Sequence, residues 1–281
     1  MNKKSLTTTL IASCTVISLL LLCGCEVERP DYLQQQGIQR LKNICKFEFD
    51  INITTHLIGK TLWIYLPSKE PILKLKGCDE CLAPFYIDSK PVFKDKILNI
   101  PYHVKPQCPD KHIRSTPTEV GSANFSHILE ALNNTFGKPE GTIEFFIFVN
   151  ADIVDGYEIS YKIYKPDLIK MYTNAISFDE PAKRIITDTF GGSYIVNDRG
   201  GRHLNFYELD LRTFLAEQIK YRLGHIELNF EDDADERILE IVNHVLNSYE
   251  FEDCALVELE NLDMDEKISI SRQALSERFK E

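Results

Sequence analysis

Cysteine and histidine side chains cluster within one stretch of the sequence. Cys78 and Cys81 are separated by two residues, and His103, Cys108 and His112 follow downstream. Two thiolates at this spacing can bind one tetrahedral zinc ion, with a later Cys or His completing the four ligands. The same thiols can form a disulfide, and a Cys-x-x-Cys pair can also act as a redox dithiol. This stretch is therefore the first candidate for chemistry.

The surroundings of the pair favour a structural disulfide over the other two interpretations. The later spacings match no specific zinc pattern, and Gly77 and Pro84 indicate a loop, whereas a redox pair usually joins a strand to a helix. A disulfide of Cys81 with Cys108, or of Cys78 with either of them, pins this proline-rich segment. A metal site stays open as the alternative, with the identity of the metal unknown.

Two guanidinium groups lie in a glycine-rich stretch of an otherwise acidic chain. Arg199 and Arg202 fall within Asn197–His203, where paired arginines can bind a carboxylate or a phosphate through two parallel hydrogen bonds. The alternative is an exposed turn between two strands that binds nothing. No phosphate-cradling or dinucleotide-binding glycine motif is present, so we expect no cofactor.

An acidic run has the composition of a calcium loop but not its spacing. Glu231–Glu236 lacks the interior Gly and the terminal Glu of an EF-hand loop. Carboxylates in the first turn of a helix interact favourably with its dipole, which explains the run without a metal. Because no G-x-S-x-G or H-E-x-x-H motif occurs, nothing in the sequence positively supports an enzyme.

The N-terminal residues have the three zones of an export signal. Lys3 and Lys4 give a positive start, an apolar run follows from Leu10 to Leu22, and the small residue Gly24 precedes Cys25. The apolar run is shorter than the roughly 20 residues that span a hydrocarbon core. We therefore expect a cleaved signal peptide rather than a transmembrane anchor.

The end of this segment, Leu22-Cys23-Gly24-Cys25, resembles the lipobox of bacterial lipoproteins. The resemblance covers the first 25 residues only. It implies cleavage between Gly24 and Cys25 and a lipid on Cys25, with two or more acyl chains giving stable anchoring. Residues 1–24 are then the signal peptide and residues 25–31 a lipidated tether. Glu26, where some lipoproteins carry Asp, favours the outer membrane of the cell envelope.

Composition limits the partners of the exported part. The formal net charge is −11, and loss of Lys3 and Lys4 with the signal makes it more negative. This charge argues against nucleic acid and against broad binding to anionic lipid headgroups, so contact with a membrane is expected through the lipid. Export also permits disulfides. The cysteines that remain after cleavage and lipidation are odd in number: Cys45, Cys78, Cys81, Cys108 and Cys254.

Apolar periodicity predicts an α+β fold with a mixed or antiparallel sheet, packed helices and a helix-rich C-terminal half. Residues 32–281 form the globular region, with a division into two subdomains near 138–142 as one arrangement. Residues 68–118 carry seven prolines and are expected to be irregular, with short strands at Pro84–Ile87 and Ile97–Val104. The predicted helices are Tyr32–Phe47, Ser122 to Gly137, Asp167–Ala175, Asp179–Thr187, Tyr207–Leu223 and Ala234–Tyr249. The other predicted strands are Phe49–Ile53, Thr61–Leu66, Thr142–Val149, Tyr157–Tyr164 and Cys254–Leu259.

These features favour a non-catalytic envelope lipoprotein that binds a protein partner or contributes to envelope assembly. A solute- or glycan-binding lipoprotein is the alternative, although the repeated α/β units typical of such receptors are missing from the pattern. A hydrolase of envelope material is a third hypothesis, which needs histidine, acidic and nucleophilic side chains to converge in one pocket.

Overall fold

The computed structural model describes residues 30–77, 85–106, 113–177, 180–191 and 205–280. The strands are β1 (Thr54–Ile58), β2 (Thr61–Ser68), β3 (Leu73–Gly77), β4 (Phe85–Ser89), β5 (Val92–Lys94), β6 (Ile97–Pro106), β7 (Ile113–Pro117), β8 (Phe145–Asp152), β9 (Tyr157–Tyr164), β10 (Ile186–Phe190), β11 (Leu256–Asn261) and β12 (Glu266–Ser271). The helices are α1 (Pro30–Glu48), α2 (Glu119–Phe136), α3 (Lys165–Tyr172), α4 (Glu180–Arg184), α5 (Leu211–Leu223), α6 (Ala234–Ser248) and α7 (Arg272–Arg278).

These elements form two mixed sheets and a two-stranded ribbon, which confirms the predicted α+β class. The first sheet has the order β1-β2-β8-β9-β10, and only β2 and β8 run parallel within it. The second has the order β12-β11-β6-β4, with β5 also pairing with β6, and here β11 and β6 are parallel. Strands β3 and β7 form the ribbon. The helix-rich C-terminal half is only a loose description, since β8 to β12 lie there as well.

The centre of the first sheet agrees with the sequence pattern. Every residue of β8 is buried, as predicted for a central strand covered on both faces, and β9 is its antiparallel neighbour. One face of the sheet packs against α1, α2 and α3 through residues such as Leu62, Phe146 and Ile163. Phe145 and Ile186 point to the other side and join a second core.

The second core is built around α5, α6 and the second sheet. Its buried residues include Leu98 and Val257 from the sheet, Phe214 from α5 and Val242 from α6. Phe145 packs against Phe214 with ring centroids 5.6 Å apart, so the first sheet contributes directly to this core. In each sheet, a strand that precedes residues 138–142 pairs with a strand that follows them. The two sheets are therefore not separated by a subdomain boundary at these residues.

The first predicted hairpin is shifted along the chain. Phe49–Ile53 forms no strand; β1 begins at Thr54 and is joined to β2 through a turn at Gly59. Asp50 has φ of 55° and the Ile51 amide donates to the Cys45 carbonyl at 2.8 Å, which folds the chain back over the end of α1. The alternation of apolar and polar residues over Phe49–Ile53 therefore belongs to the turn that follows α1, in which Ile51 is buried, and not to a strand.

The segment from 68 to 118 is more regular than its prolines suggest. It contains β3 to β7, and Pro101 lies inside β6 while Pro106 and Pro117 end β6 and β7. Proline is tolerated at strand ends and wherever the missing donor is not needed by the sheet. The expectation of an irregular segment is wrong for the described residues, because its strands pair with one another and β6 also pairs with the distant strand β11.

Helix boundaries differ where a capping side chain was misassigned. Thr118, not Ser122, is the N-cap of α2, and its hydroxyl accepts from the Gly121 amide at 3.0 Å. α5 begins after its cap Asp210 rather than at Tyr207. The helix predicted over Asp179–Thr187 ends early, because Ile186 already pairs in β10. The sequence also did not indicate β12 or α7.

No helix within these described ranges is long and apolar enough to cross a bilayer.

Candidate functional site

Most of the side chains that the sequence singled out fall outside the described residues, so the hypotheses about them stay predictions. His103 alone is described, on β6. The others are Gly24, Cys25, Cys78, Cys81, Cys108, His112, Arg199 and Arg202. Neither the disulfide, the metal site, the anion-binding loop nor the lipid is tested by the geometry.

His103, on β6, contacts a carboxylate in the turn between β11 and β12. Its Nδ1 lies 2.7 Å from Oδ1 of Asp263, and Oδ2 of the same carboxylate accepts from the Val104 amide at 2.8 Å. Together with the amide, the imidazole lowers the pKa of Asp263. Across the described part of the chain, no group of three or more His, Cys, Asp or Glu side chains is placed to hold a metal ion.

The two described cysteines are free, buried thiols in separate cores. Cys45 belongs to the core around α1 and Cys254 to the core around α6. Burial raises the pKa of Cys45 to about 11 and also raises that of Cys254. A thiol with a raised pKa is protonated and therefore a poor nucleophile, so both side chains are inert packing groups.

The acidic run near residue 233 both caps a helix and lines a groove. Oδ1 of Asp233 accepts from the Glu236 amide at 3.2 Å, which confirms the helix-start interpretation of the run. The groove, about 380 Å³ in volume, lies between β4, β6, the N-terminus of α6 and the turn from β11 to β12. Asp232, Asp235 and Glu266 line it as well. We call this surface the acidic groove.

Two large apolar side chains flank the acidic groove and are exposed to solvent. Phe230 is 82% exposed and Met264 is 69% exposed. Phe230 is held at its inner edge by Phe85, with ring centroids 5.0 Å apart and planes almost perpendicular. Aromatic and Met side chains are enriched where proteins bind one another, so their exposure beside a groove indicates a contact surface.

A buried phenol fixes one wall of the acidic groove. The Tyr102 hydroxyl donates to Oδ1 of Asp235 at 2.5 Å. Burial, together with this carboxylate, raises the pKa of Tyr102, so the phenol stays a neutral donor. Asp232 is likewise oriented, since its Oδ2 accepts from the Asn229 amide at 2.6 Å. The carboxylates are therefore held in place rather than freely rotating.

The described lining of the acidic groove combines carboxylates with apolar side chains and contains no Lys, Arg, His, Cys or Ser. A negative, water-accessible groove with apolar rims attracts positive and apolar groups together. The sequence analysis did not predict this groove. Phe230 directly precedes the acidic run but lies outside the apolar periodicity of the helix, so the interpretation of the run as a helix start did not use it.

A smaller cavity of about 240 Å³ lies on the face of the first sheet away from α1. Trp63 and Tyr207 form its aromatic walls, and the Trp63 indole donates to the Tyr207 carbonyl at 3.0 Å. Lys162 is paired with Asp188 at 3.1 Å and with Glu217 at 2.9 Å. Although burial lowers the pKa of Lys162, these carboxylates raise it more, so the ammonium is charged and already neutralised.

In comparisons with known proteins, the chain matches no family model, no curated protein and no solved structure. Functional conclusions therefore depend on the chemistry of its own residues.

Proposed function

We propose that this chain is a non-catalytic lipoprotein of the bacterial cell envelope. A lipid on Cys25 holds it on a membrane, and the acidic groove binds a protein partner. The observation that carries the binding role is the exposure of Phe230 and Met264 beside carboxylates that are fixed by hydrogen bonds. The lipobox resemblance of Leu22–Cys25 supports the anchor.

The side chains of the acidic groove determine which kind of protein segment can bind there. Phe230 and Met264 offer apolar area, whereas Asp232, Asp235 and Glu266 offer only acceptors. A protein segment that alternates apolar side chains with Arg or Lys satisfies both, because the guanidinium or ammonium groups donate to the carboxylates. Exposed aromatic anchors of this kind often supply much of an interface's free energy.

Peptides of defined chemistry test the proposal with the purified full-length protein. One peptide alternates Arg and Leu, a second replaces Arg by Glu, and a third replaces Leu by Ser. Calorimetric titration should show that only the Arg-Leu peptide binds well. We expect Phe230→Ala to weaken that binding by about 10- to 30-fold, which corresponds to roughly 1.4–2 kcal/mol.

Phe47→Ala is the matched control, since Phe47 is 76% exposed but lies at the end of α1 and does not line the acidic groove. It should leave peptide affinity unchanged. Asp232→Asn should lower the affinity and reduce its dependence on salt. Equal binding of the Glu-Leu peptide, or equal effects of the two Phe variants, contradicts the proposed groove.

A further inference from the structure

A second cleft, with the opposite charge, lies along α6 from Arg237 to Ser248. It has a volume of about 870 Å³ and shares no lining residue with the acidic groove. Helices α4, α5 and α6 line it, together with the residues that follow α7. Its basic side chains are Lys183, Arg222, His225, Arg237, His244 and Lys280. We call this surface the basic cleft.

The charge of the basic cleft is largely unneutralised. Glu240 is the only acid among its described lining residues, and its Oε2 lies 2.6 Å from Nη1 of Arg237. Among the described residues, Lys183 and Arg222 form no ion pair. On a chain whose net charge is −11, this group of cations gives a local positive potential that attracts anions.

Arg222 is a preorganised part of the cleft. Its Nη2 donates to the Lys183 carbonyl at 3.1 Å, which fixes the guanidinium against the end of α4. Its Nε is buried and has no hydrogen-bond partner among the described residues.

Helix dipoles do not account for the cluster. Cations near the C-terminus of a helix are stabilised by its dipole, and this explains Lys183 on α4 and Arg222 on α5. Arg237 lies near the N-terminus of α6, where the dipole disfavours a cation. Its ion pair with Glu240, three residues further along the same helix, holds it at this position in the cleft.

We infer that the basic cleft binds a phosphate-bearing molecule. A phosphate carries up to two negative charges and several acceptor oxygens, which suits two guanidinium groups and an ammonium better than a single carboxylate does. Ile241 and Phe279 add apolar surface to the lining, so an organic phosphate fits better than the bare ion. A free metabolite and a lipid headgroup share this chemistry.

The electrostatics of His244 support the inference. Burial lowers the pKa of His244, and Arg222, Lys183 and Arg184 lower it further, while only Glu180 raises it. The local potential at this imidazole is thus positive. An anion bound in the basic cleft should offset that potential and raise the pKa of His244.

Calorimetry with pyrophosphate and the purified full-length protein tests the inference. Binding should weaken at least tenfold in the double variant Lys183→Gln, Arg237→Gln, whose exposed positions leave packing intact. Lys94→Gln is the control, because Lys94 is an exposed lysine on β5 outside the cleft. NMR titration should show a higher pKa for His244 with pyrophosphate than without it.

A vesicle arm separates the two sources of phosphate. Unlipidated Cys25→Ser protein is floated with phosphatidylcholine vesicles that contain or lack phosphatidic acid. Flotation that requires phosphatidic acid and is lost in the double variant identifies a headgroup site; pyrophosphate binding alone identifies a soluble ligand. The inference is overturned if neither probe binds, or if the double variant and Lys94→Gln bind equally well.

Discussion

At the scale of single residues, two surfaces concentrate charges of opposite sign, the acidic groove and the basic cleft. Fixed carboxylates such as Asp235 line the acidic groove, and Lys183 and Arg222, which form no ion pair with any described residue, line the basic cleft. Deeper in the fold, opposite charges are paired: Arg184 donates to Asp167 at 2.8 Å and to Glu180 at 3.0 Å. Charges that pair internally stabilise the fold, and charges left unpaired at a surface are available to partners.

His244 should make stability depend on pH. Its pKa in the folded protein lies below the ordinary value of 6.5, mainly because of burial, so the unfolded chain takes up the proton first. Well above pH 6.5, His244 is neutral in both states and does not lower the free energy of unfolding. The free energy of unfolding falls as pH drops below 6.5 toward the folded pKa. Urea unfolding between pH 5 and 8 should show this loss. His244→Gln should be less sensitive in that window, and an unchanged pH profile contradicts the account.

Breaking the buried pair should be far more harmful than breaking an exposed one. Arg184→Met leaves Asp167 buried without its partner, and burial already raises the pKa of that carboxyl. We expect a loss of about 3–5 kcal/mol in the free energy of unfolding. Arg237→Met breaks the exposed pair with Glu240 and should cost below about 1 kcal/mol. Equal losses in denaturant titrations would show that Asp167 and Arg184 are not coupled in this way.

At the scale of elements, caps decide where helices begin. Asp210 accepts from the Thr213 amide at 2.9 Å and from its hydroxyl at 3.0 Å, so α5 starts there. Asp210→Ala should lower the free energy of unfolding by about 1 kcal/mol, while Asp210→Asn, which keeps an acceptor oxygen, should cost much less. Chemical denaturation of the two variants distinguishes them. Similar losses would mean that the carboxylate acts through charge and not as a cap.

The sequence predicts the helices and strands that have a clear local pattern of apolar residues. It does not predict the exposed strand β12 or a surface that forms only when distant parts of the chain come together. The apolar run at β8 and the periodicity of α6 give the central strand and a principal helix of the second core correctly. β12 is mostly exposed, and the sequence analysis did not use its short alternation of Ile268 and Ile270 with serines; in the fold it pairs with β11, and Ile270 packs against the second core. The basic cleft was likewise hidden, because His225, Arg237 and Lys280 are far apart in the sequence and come together only in the fold.

At the scale of the whole molecule, the two cores share a sheet and should unfold together. Phe145 of the first sheet lies in the second core, where its ring centroid is 5.6 Å from that of Phe214 and 5.2 Å from that of Tyr164. Trp63 is the single tryptophan and reports on the first sheet, whereas the buried Cys254 reports on the second layer. Because the two cores share the first sheet, we expect loss of Trp63 fluorescence and exposure of the Cys254 thiol at the same urea concentration.

Phe145→Ala should lower the free energy of unfolding by about 3–5 kcal/mol because it opens a cavity where the layers meet. Phe47→Ala, at an exposed site, should have little effect. Trp63 fluorescence and mass mapping of labelled Cys254 should shift together in the Phe145 variant. Separate transitions for the two probes would show that the layers are independent.

The intact mass of the protein extracted from membranes tests whether a lipid displays this domain from an envelope membrane. We predict a chain that begins at Cys25 and carries the added mass of a diacylglyceryl group, with or without a further acyl chain. Cys25→Ser should abolish that added mass and release the protein from the membrane fraction. A full-length chain that still begins at Met1 and carries no lipid would contradict the account.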